Sequence, residues 1–326
     1  MNSLLLNPLL SAACLGLFAL VPAPLCATGD RSPFKVDSTH PDVRASQFVP
    51  GVNQLTIGHV IEGETVQRSV FIRVPLNLDN TKRYPVVFGF HGANGRGNQF
   101  LANAALNELI NAGEFIGVYP NGYANDGSTG GFWNLDTEPT TADDVQFVGL
   151  ILDQLSTYAT ADLSRTYAFG FSNGAGMVNL LGKSTSHFKA IAPLFSQQST
   201  ITALLSPPTV LSVFQVNGAN DPLIPLNGGT SSVGEFVSAA NSAADWANRF
   251  GCTATPVSAS VIWGQTTLNS ATYGNCRSNQ EVRYYIALET GHGSMDTEMN
   301  DRMFREVWLF FDRAIQEPTE DAWVIH

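Results

Sequence analysis

The feature that most constrains the fold is a regular alternation of short apolar runs with amphipathic segments. The apolar runs, which are typical of strands buried in a parallel sheet, lie at 84–90, 115–120, 166–172, 190–195, 209–216 and 282–288. The segments with helical periodicity lie at 99–111, 143–160, 174–182, 234–250 and 298–314. Two alternating segments, 55–61 and 69–74, come first and predict antiparallel strands. The pattern predicts an α/β fold, a mostly parallel, doubly wound sheet with antiparallel leading strands.

The same pattern indicates how the chain is divided. It continues to about residue 315 without a linker rich in Pro, Gly or Ser, which predicts one domain over 55–315. We interpret residues 28–54 as an extended lead-in and residues 316–326 as a loose acidic tail. Residues 1–27 are apolar, carry no charge and end in small residues, which predicts a signal peptide and a secreted or periplasmic protein. An N-terminal membrane anchor is the alternative, because the stretch is nearly long enough to span a bilayer.

The charge balance restricts the partners of the chain. It has 28 acidic and 17 basic residues and a net charge of −11, which excludes nucleic acid and argues against anionic lipid. We therefore expect no nucleic-acid partner and no stable membrane partner after loss of the leader. We also expect a monomer. The six histidines are scattered and no CxxC or HExxH motif occurs, so we expect neither a metal nor a cofactor.

A G-x-S-x-G motif at 170–174 supplies the first candidate for chemistry. It spans the end of the apolar run at 166–172 and the start of the helical segment at 174–182, which is the strand–turn–helix context that a nucleophilic serine requires. The glycines allow the strand and the helix to pass closely, so that the Ser172 hydroxyl projects from a strained turn. We predict that Ser172 is a nucleophile.

A base and an acid are expected after the serine, in the order acid, then histidine. His292 lies in a loop between the last predicted strand and the last predicted helix. Asp221 follows a predicted strand end, where it can orient the imidazole, although an Asx turn before a proline is the competing interpretation. Asp245 and Asp296 are weaker candidates because they lie in or beside helical segments.

The negative charge that develops on an attacked carbonyl needs backbone N–H donors. Asn173, directly after the nucleophile, is predicted to supply one donor. The glycine-rich loop at 91–97 follows a buried strand, and we predict Ala93 as the second donor. We expect His91 to orient this loop rather than to transfer protons. A phosphate cradle is the rival interpretation, but no Gly-Lys-Ser/Thr follows.

Six motifs in this order carry a family resemblance: HGANGRG (91–97), FWN (132–134), DDVQFV (143–148), GFSNGAGM (170–177), NGANDPLIP (217–225) and ETGHGS (289–294). Together they resemble the secreted polyhydroxybutyrate depolymerase and feruloyl esterase-like group of α/β-hydrolases, over about residues 55–315. The resemblance implies the α/β-hydrolase fold and a serine esterase acting on hydroxycinnamoyl esters of plant polysaccharide or on aliphatic polyesters. Phe132 stands where relatives often have a cysteine, and Gly293-Ser294 where they usually have Trp-Pro, which leaves the substrate open.

Two cysteines lie beyond the leader, Cys252 and Cys276. In an oxidising compartment two cysteines most simply pair, and the resemblance fits this pairing; two buried free thiols are the alternative. The bond would contribute about 3 kcal/mol in the chain-entropy model.

Several further side chains have both a functional and a structural interpretation. Thr140 or Thr141 is expected to cap a helix whose first turn contains two acids, Asp143 and Asp144, and we interpret these acids as structural. Large aromatic residues in predicted loops either line an acyl pocket or belong to the core. Trp133 is the predicted substrate contact among them, ahead of Trp263 and Tyr273.

The sequence therefore predicts a secreted serine esterase. An acyltransferase or a peptidase on the same fold is the first alternative, and an exported binding protein without activity is the second.

Overall fold

The computed structural model describes residues 46–125, 130–136 and 138–314. The predicted signal peptide, most of the lead-in and the acidic tail lie outside the described residues. Within the described ranges, no helix combines the length and the apolar character that crossing a bilayer requires.

A ten-stranded sheet organises the described chain, in the order β1-β2-β4-β3-β5-β6-β7-β12-β11-β10. Its strands are β1 (Gly51–Ile61), β2 (Glu64–Val74), β3 (Tyr84–Phe90), β4 (Ile116–Pro120), β5 (Ala161–Phe171), β6 (Ala190–Leu194), β7 (Ser212–Gly218), β10 (Val257–Trp263), β11 (Thr266–Tyr273) and β12 (Val282–Ala287). The strands from β4 to β12 in this order run parallel, while β1 and β2 at one edge and β10 and β11 at the other are antiparallel. The separate hairpin pairs β8 (Gly229–Ser231) with β9 (Gly234–Phe236).

Helices cover both faces of this sheet. They are α1 (Ala104–Asn111), α2 (Asp144–Leu155), α3 (Asn173–Ser184), α4 (Thr200–Leu204), α5 (Ala239–Phe250) and α6 (Thr297–Arg313). Apolar residues of α2, α3 and α5 form one core with the sheet, and apolar residues of α1 and α6 form the other. The predicted doubly wound, mostly parallel α/β sheet with antiparallel leading strands is confirmed.

The differences from the sequence prediction include two element boundaries and one hairpin that was missed. β1 begins at Gly51, so the last residues assigned to the lead-in belong to the sheet. The helix predicted over 234–250 begins at Ala239, because residues 234–236 form β9 and the Ser238 side chain accepts a hydrogen bond from the Asn241 N–H. The hairpin of β10 and β11 was not predicted, since its exposed, Ser- and Thr-rich edge lacks a continuous apolar run.

Two residues that we expected in loops, Trp263 and Tyr273, are the last residues of β10 and β11. Both are buried, at 3% and 9% exposure, so they are core residues rather than pocket walls. The predicted cap of α2 is also corrected: Asp143, and not Thr140 or Thr141, accepts a hydrogen bond from the Gln146 N–H, at 2.9 Å.

Candidate active site

Ser172 occupies a strained turn between β5 and α3. Its backbone has φ 53° and ψ −117°, a conformation that costs a non-glycine residue on the order of 1–3 kcal/mol. The flanking glycines make the turn possible. A Cβ added to Gly170 would lie 2.1 Å from the Gly174 carbonyl oxygen, and one added to Gly174 would lie 2.2 Å from the Phe90 carbonyl oxygen. The backbones therefore pass too closely at both positions for any other residue.

The structure brings Ser172, His292 and Asp221 into one hydrogen-bonded chain. His292 Nδ1 lies 2.7 Å from Asp221 Oδ2, and His292 Nε2 lies 2.8 Å from Ser172 Oγ. Because an ionised carboxylate can only accept, Nδ1 carries the proton and Nε2 is free to accept the serine proton. The Asp221 side chain is 2% exposed and that of His292 is 20% exposed, so this series of hydrogen bonds leads from the interior toward solvent.

Asp221 also makes the Asx turn that was its competing interpretation. Its Oδ1 accepts hydrogen bonds from the N–H groups of Leu223 and Ile224, both at 2.9 Å. The two interpretations are compatible because each uses a different oxygen. The loop that contains Asp221 (the acid loop) is joined to the loop that contains His292. The Asn220 N–H donates a hydrogen bond to the Thr290 carbonyl at 2.9 Å.

The two weaker candidate acids have structural partners. Asp245 pairs with Lys183 and with Arg249. Asp296 precedes α6 and accepts a hydrogen bond from the Met299 N–H at 2.7 Å, which makes it the cap of that helix. Neither is the acid that contacts His292.

The predicted oxyanion donors, Asn173 and Ala93, lie on the two segments that adjoin Ser172. Asn173 is the first residue of α3, where backbone N–H groups have no partner within the helix and the helix dipole favours negative charge. On the other side, a Cβ added to Gly92 would lie 3.6 Å from Ser172 Cβ, so the residue before Ala93 abuts the serine. This placement is compatible with both predicted donors.

His91 is buried and holds the glycine-rich loop. Its Nε2 accepts a hydrogen bond from the Gly122 N–H at 2.9 Å, so its Nδ1 carries the proton and donates to the Gly92 carbonyl at 2.8 Å. Burial lowers the pKa of His91 to about 4, although the hydrogen bond to Gly92 opposes this shift. The neutral imidazole therefore has a fixed tautomer and both nitrogens engaged, which is compatible with the predicted orienting role.

The predicted substrate contact at Trp133 is wrong in this structure. Trp133 has no exposed surface, since its ring packs edge-on against Phe90 and its Nε1 donates to the His91 carbonyl at 2.8 Å. Its backbone N–H and carbonyl are bound by the Asn173 side chain, at 2.8 and 3.0 Å. Trp133 is thus a buried residue that connects the glycine-rich loop at 91–97 to the start of α3.

The sequence reasoning missed Arg68 as a residue of this region. Its guanidinium forms an ion pair with Asp144 at 2.7 Å, and the side chains are 2% and 0% exposed. Burial raises the pKa of Asp144, and the adjoining guanidinium opposes that shift. One signal was present: Arg68 interrupts the alternation of an otherwise apolar strand face.

Across the described ranges, no three or more His, Cys, Asp or Glu side chains are grouped closely enough to hold a metal ion. Cys252 and Cys276 form a disulfide, as predicted.

The sheet order, the strained serine turn and the serine–histidine–aspartate contacts define an α/β-hydrolase fold. An acetyl xylan esterase from Aspergillus awamori has this fold, with a TM-score of 0.55 and 16% identity over 80% of this chain and 99% of that one. In sequence, the chain is 28% identical over 248 residues to feruloyl esterase B of Piromyces equi, covering 71% of this chain and 44% of that protein. It is 26% identical over 185 residues to a probable feruloyl esterase C of Aspergillus niger, covering 55% and 63%. The chain thus spans about half the length of these relatives, and no family model matches it.

Proposed function

We propose that this protein is a serine hydrolase that cleaves carboxylic esters through an acyl-enzyme. The observation that carries the proposal is the unbroken set of contacts from Asp221 through His292 to Ser172 on a strained turn. Ser172 is the nucleophile, His292 the general base and acid, and Asp221 the acid that orients the imidazole.

The geometry supports a two-step reaction. His292 Nε2 takes the proton of Ser172 Oγ as that oxygen attacks the ester carbonyl, and the N–H groups of Asn173 and Ala93 stabilise the resulting oxyanion. When the tetrahedral intermediate collapses, the carbon–oxygen bond to the alcohol breaks and His292 returns the proton to the leaving alkoxide. Water, deprotonated by His292, then attacks the acyl-enzyme and releases the carboxylic acid and free Ser172.

For the substrate, we propose hydroxycinnamoyl esters of plant polysaccharide. The support is the similarity to relatives named feruloyl esterases. Aliphatic polyesters are the second substrate class, from the resemblance noted above. We also propose that the protein is exported, because the apolar leader at 1–27 and the Cys252–Cys276 disulfide both fit an oxidising compartment.

Labelling with a fluorophosphonate probe tests the chemistry. We expect the purified protein to be labelled at Ser172 and to hydrolyse p-nitrophenyl butyrate, and Ser172→Ala to lose both properties while keeping its circular dichroism spectrum. Ser172→Ala activity within tenfold of the wild type would remove Ser172 from the mechanism.

A substrate panel tests the specificity. We compare kcat/KM for methyl ferulate, methyl acetate and p-nitrophenyl butyrate. For polyhydroxybutyrate film we measure the release of acid. We expect methyl ferulate to be preferred over methyl acetate; rapid erosion of the film with no release of ferulate would assign the protein to the polyester class. Adding methanol to the assay with p-nitrophenyl butyrate separates transfer from hydrolysis. A transferase would form methyl butyrate in excess of free butyric acid.

A further inference from the structure

A charged pair without a role in the proposed chemistry lies buried behind the site. Arg68, on β2, and Asp144, the first residue of α2, are 2.7 Å apart, and the centre of the guanidinium lies 3.6 Å from the centroid of the Phe147 ring. Transferring two charges from water into the interior is costly, and buried pairs are often replaceable by apolar residues without loss of stability. Stability alone therefore does not explain the pair, and its hydrogen bonds indicate what the pair does.

Each member of the pair holds one segment of irregular backbone. Arg68 donates to the Asn121 carbonyl at 2.9 Å. Asp144 accepts a hydrogen bond from the Asn134 N–H, with its other oxygen, at 2.7 Å. These two segments, 121–123 and 132–134, are also joined to each other, because Tyr123 and Phe132 exchange two backbone hydrogen bonds of 3.0 Å.

The two segments in turn hold the glycine-rich loop at 91–97. In segment 121–123, the Gly122 N–H donates to His91, and the Asn121 side chain accepts from the Gly97 N–H at 2.8 Å. In segment 132–134, Trp133 donates to the His91 carbonyl and is bound on its backbone by the Asn173 side chain. Both proposed oxyanion donors are thus connected to the buried pair through one intervening segment.

We propose that the Arg68–Asp144 ion pair is a positioning element that sets the spacing of the oxyanion donors at Ala93 and Asn173. This inference rests on the proposed function. Oxyanion donors act only when they lie 2.7–3.1 Å from the developing charge, and a displacement of about 1 Å can cost on the order of 100-fold in rate. Loss of the pair therefore lowers kcat, while KM, which reports ground-state binding, changes little.

The test compares two buried cations. Arg68→Met and Lys183→Met each replace a buried cation with an unbranched apolar side chain and leave a carboxylate, Asp144 or Asp245, without its buried partner. For Arg68→Met we expect kcat to fall 10- to 100-fold with KM within threefold of the wild type. For Lys183→Met we expect kcat within threefold, although both variants lose thermal stability. Each variant is assayed at a temperature that lies 20 °C below its own melting temperature.

A double variant separates positioning from stability. Arg68→Met/Asp144→Asn removes both charges, so stability should recover relative to Arg68→Met, whereas kcat should stay low because the Asn121 carbonyl still lacks its donor. Arg68→Lys keeps the charge but loses the forked geometry of the guanidinium, so its kcat should fall less than that of Arg68→Met. It replaces the other variants as the test if they do not fold. The affinity of an aryl trifluoromethyl ketone, whose tetrahedral adduct needs both donors, should fall in parallel with kcat.

The outcomes are distinguishable from failure of the proposed function. If fluorophosphonate does not label Ser172 in the wild type, the function itself is wrong. If the wild type is labelled and active but the double variant has wild-type kcat, or Lys183→Met loses as much kcat as Arg68→Met, the positioning role is overturned.

Discussion

Asp221 divides its two hydrogen-bonding tasks between its two oxygens. Oδ1 accepts from the N–H groups of Leu223 and Ile224, which shapes the acid loop, while Oδ2 faces His292 Nδ1. A substitution that changes one oxygen and keeps the other therefore separates loop shape from chemistry.

Asp221→Asn is that substitution. The amide oxygen can replace Oδ1 in the turn, but the NH₂ group then faces Nδ1 and favours the wrong imidazole tautomer. On the serine protease template this change costs about 10⁴-fold in turnover, and we expect a loss of at least about 10²-fold with the fold retained. The measurement is kcat with the concentration of intact protein determined by circular dichroism and absorbance.

The matched controls are Asp245→Asn and Asp296→Asn. Asp245 pairs with Lys183 and Asp296 caps α6, so both variants should keep kcat within tenfold. A larger loss in Asp296→Asn than in Asp221→Asn would show that the acid has been misassigned.

His91 makes the stability of the protein depend on pH. Its pKa is about 4 in the folded protein, because of burial, against 6.5 for an unperturbed histidine. Between these values the unfolded chain binds a proton that the native protein does not, so the free energy of unfolding falls as pH drops from 6.5 toward 4. The full effect is on the order of 3 kcal/mol. We expect urea denaturation to show this decrease and His91→Gln to make it shallower, with part of it remaining because burial also lowers the pKa of His59.

His187→Gln is the control, because partial burial also lowers the pKa of His187 but without the large shift found for His91. It should leave most of the decrease between pH 6.5 and 4 in place. A His91→Gln curve as steep as that of the wild type would show that other groups dominate the acid sensitivity.

At the scale of the element, the strand β5, the turn at Ser172 and the helix α3 act as one unit. Their close approach requires glycine at two positions, and it is this approach that directs the Ser172 hydroxyl toward His292. The strain at Ser172 is maintained by the surrounding packing, including the Ser172 N–H, which donates to the Leu194 carbonyl at 3.0 Å.

Gly170→Ala tests this unit. The new methyl group would lie 2.1 Å from the Gly174 carbonyl oxygen, and because that oxygen belongs to the backbone, the strand or the helix must move. We expect a loss of about 3 kcal/mol or more in the free energy of unfolding, together with loss of fluorophosphonate labelling. Urea denaturation and probe labelling measure the two effects separately.

Gly149→Ala is the counterpart within α2. Among the described residues, and apart from its chain neighbours and the surrounding helix backbone, no atom comes within 4 Å of the added Cβ, so the substitution should stabilise the helix by about 0.5–1 kcal/mol and leave labelling unchanged. Equal effects of the two alanines would mean that close approach at the turn is not what requires glycine.

At the scale of the whole molecule, a disulfide closes a loop of the described chain. Cys252 follows α5 and Cys276 follows β11, 24 residues apart, while the proposed triad lies at the carboxyl ends of β5, β7 and β12. The bond therefore constrains the unfolded chain without touching the reacting groups.

The double variant Cys252→Ser/Cys276→Ser should lose about 3 kcal/mol in the free energy of unfolding and keep kcat at 25 °C. Thermal unfolding and ester hydrolysis measure the two properties. Mass spectrometry of non-reduced, alkylated wild-type protein is the direct control, and finding both cysteines alkylated in freshly purified material would contradict the bond.

Much of the fold follows from local pattern. Continuous apolar runs, helical periodicity and the G-x-S-x-G motif are short-range features, so they predicted the parallel sheet, the helices on both faces and the turn at Ser172. The motif order also singled out Asp221 and His292, because residues that follow the ends of parallel strands meet at one edge of the sheet. The β10–β11 hairpin escaped this reasoning, since a solvent-exposed edge strand carries no continuous apolar signal.

What the sequence determined by itself is therefore the class of fold and the identity of the candidate triad. The tertiary structure decided the burial and the partners of Trp133, Arg68 and Asp144. A tryptophan in a loop and a charged residue on a strand look the same in sequence whether they face substrate, solvent or the interior. Their partners are 42 and 76 residues away, from Trp133 to His91 and from Arg68 to Asp144, and only the packing of the whole domain brings them together. Burial and long-range contact are properties of the assembled chain, which local periodicity does not encode.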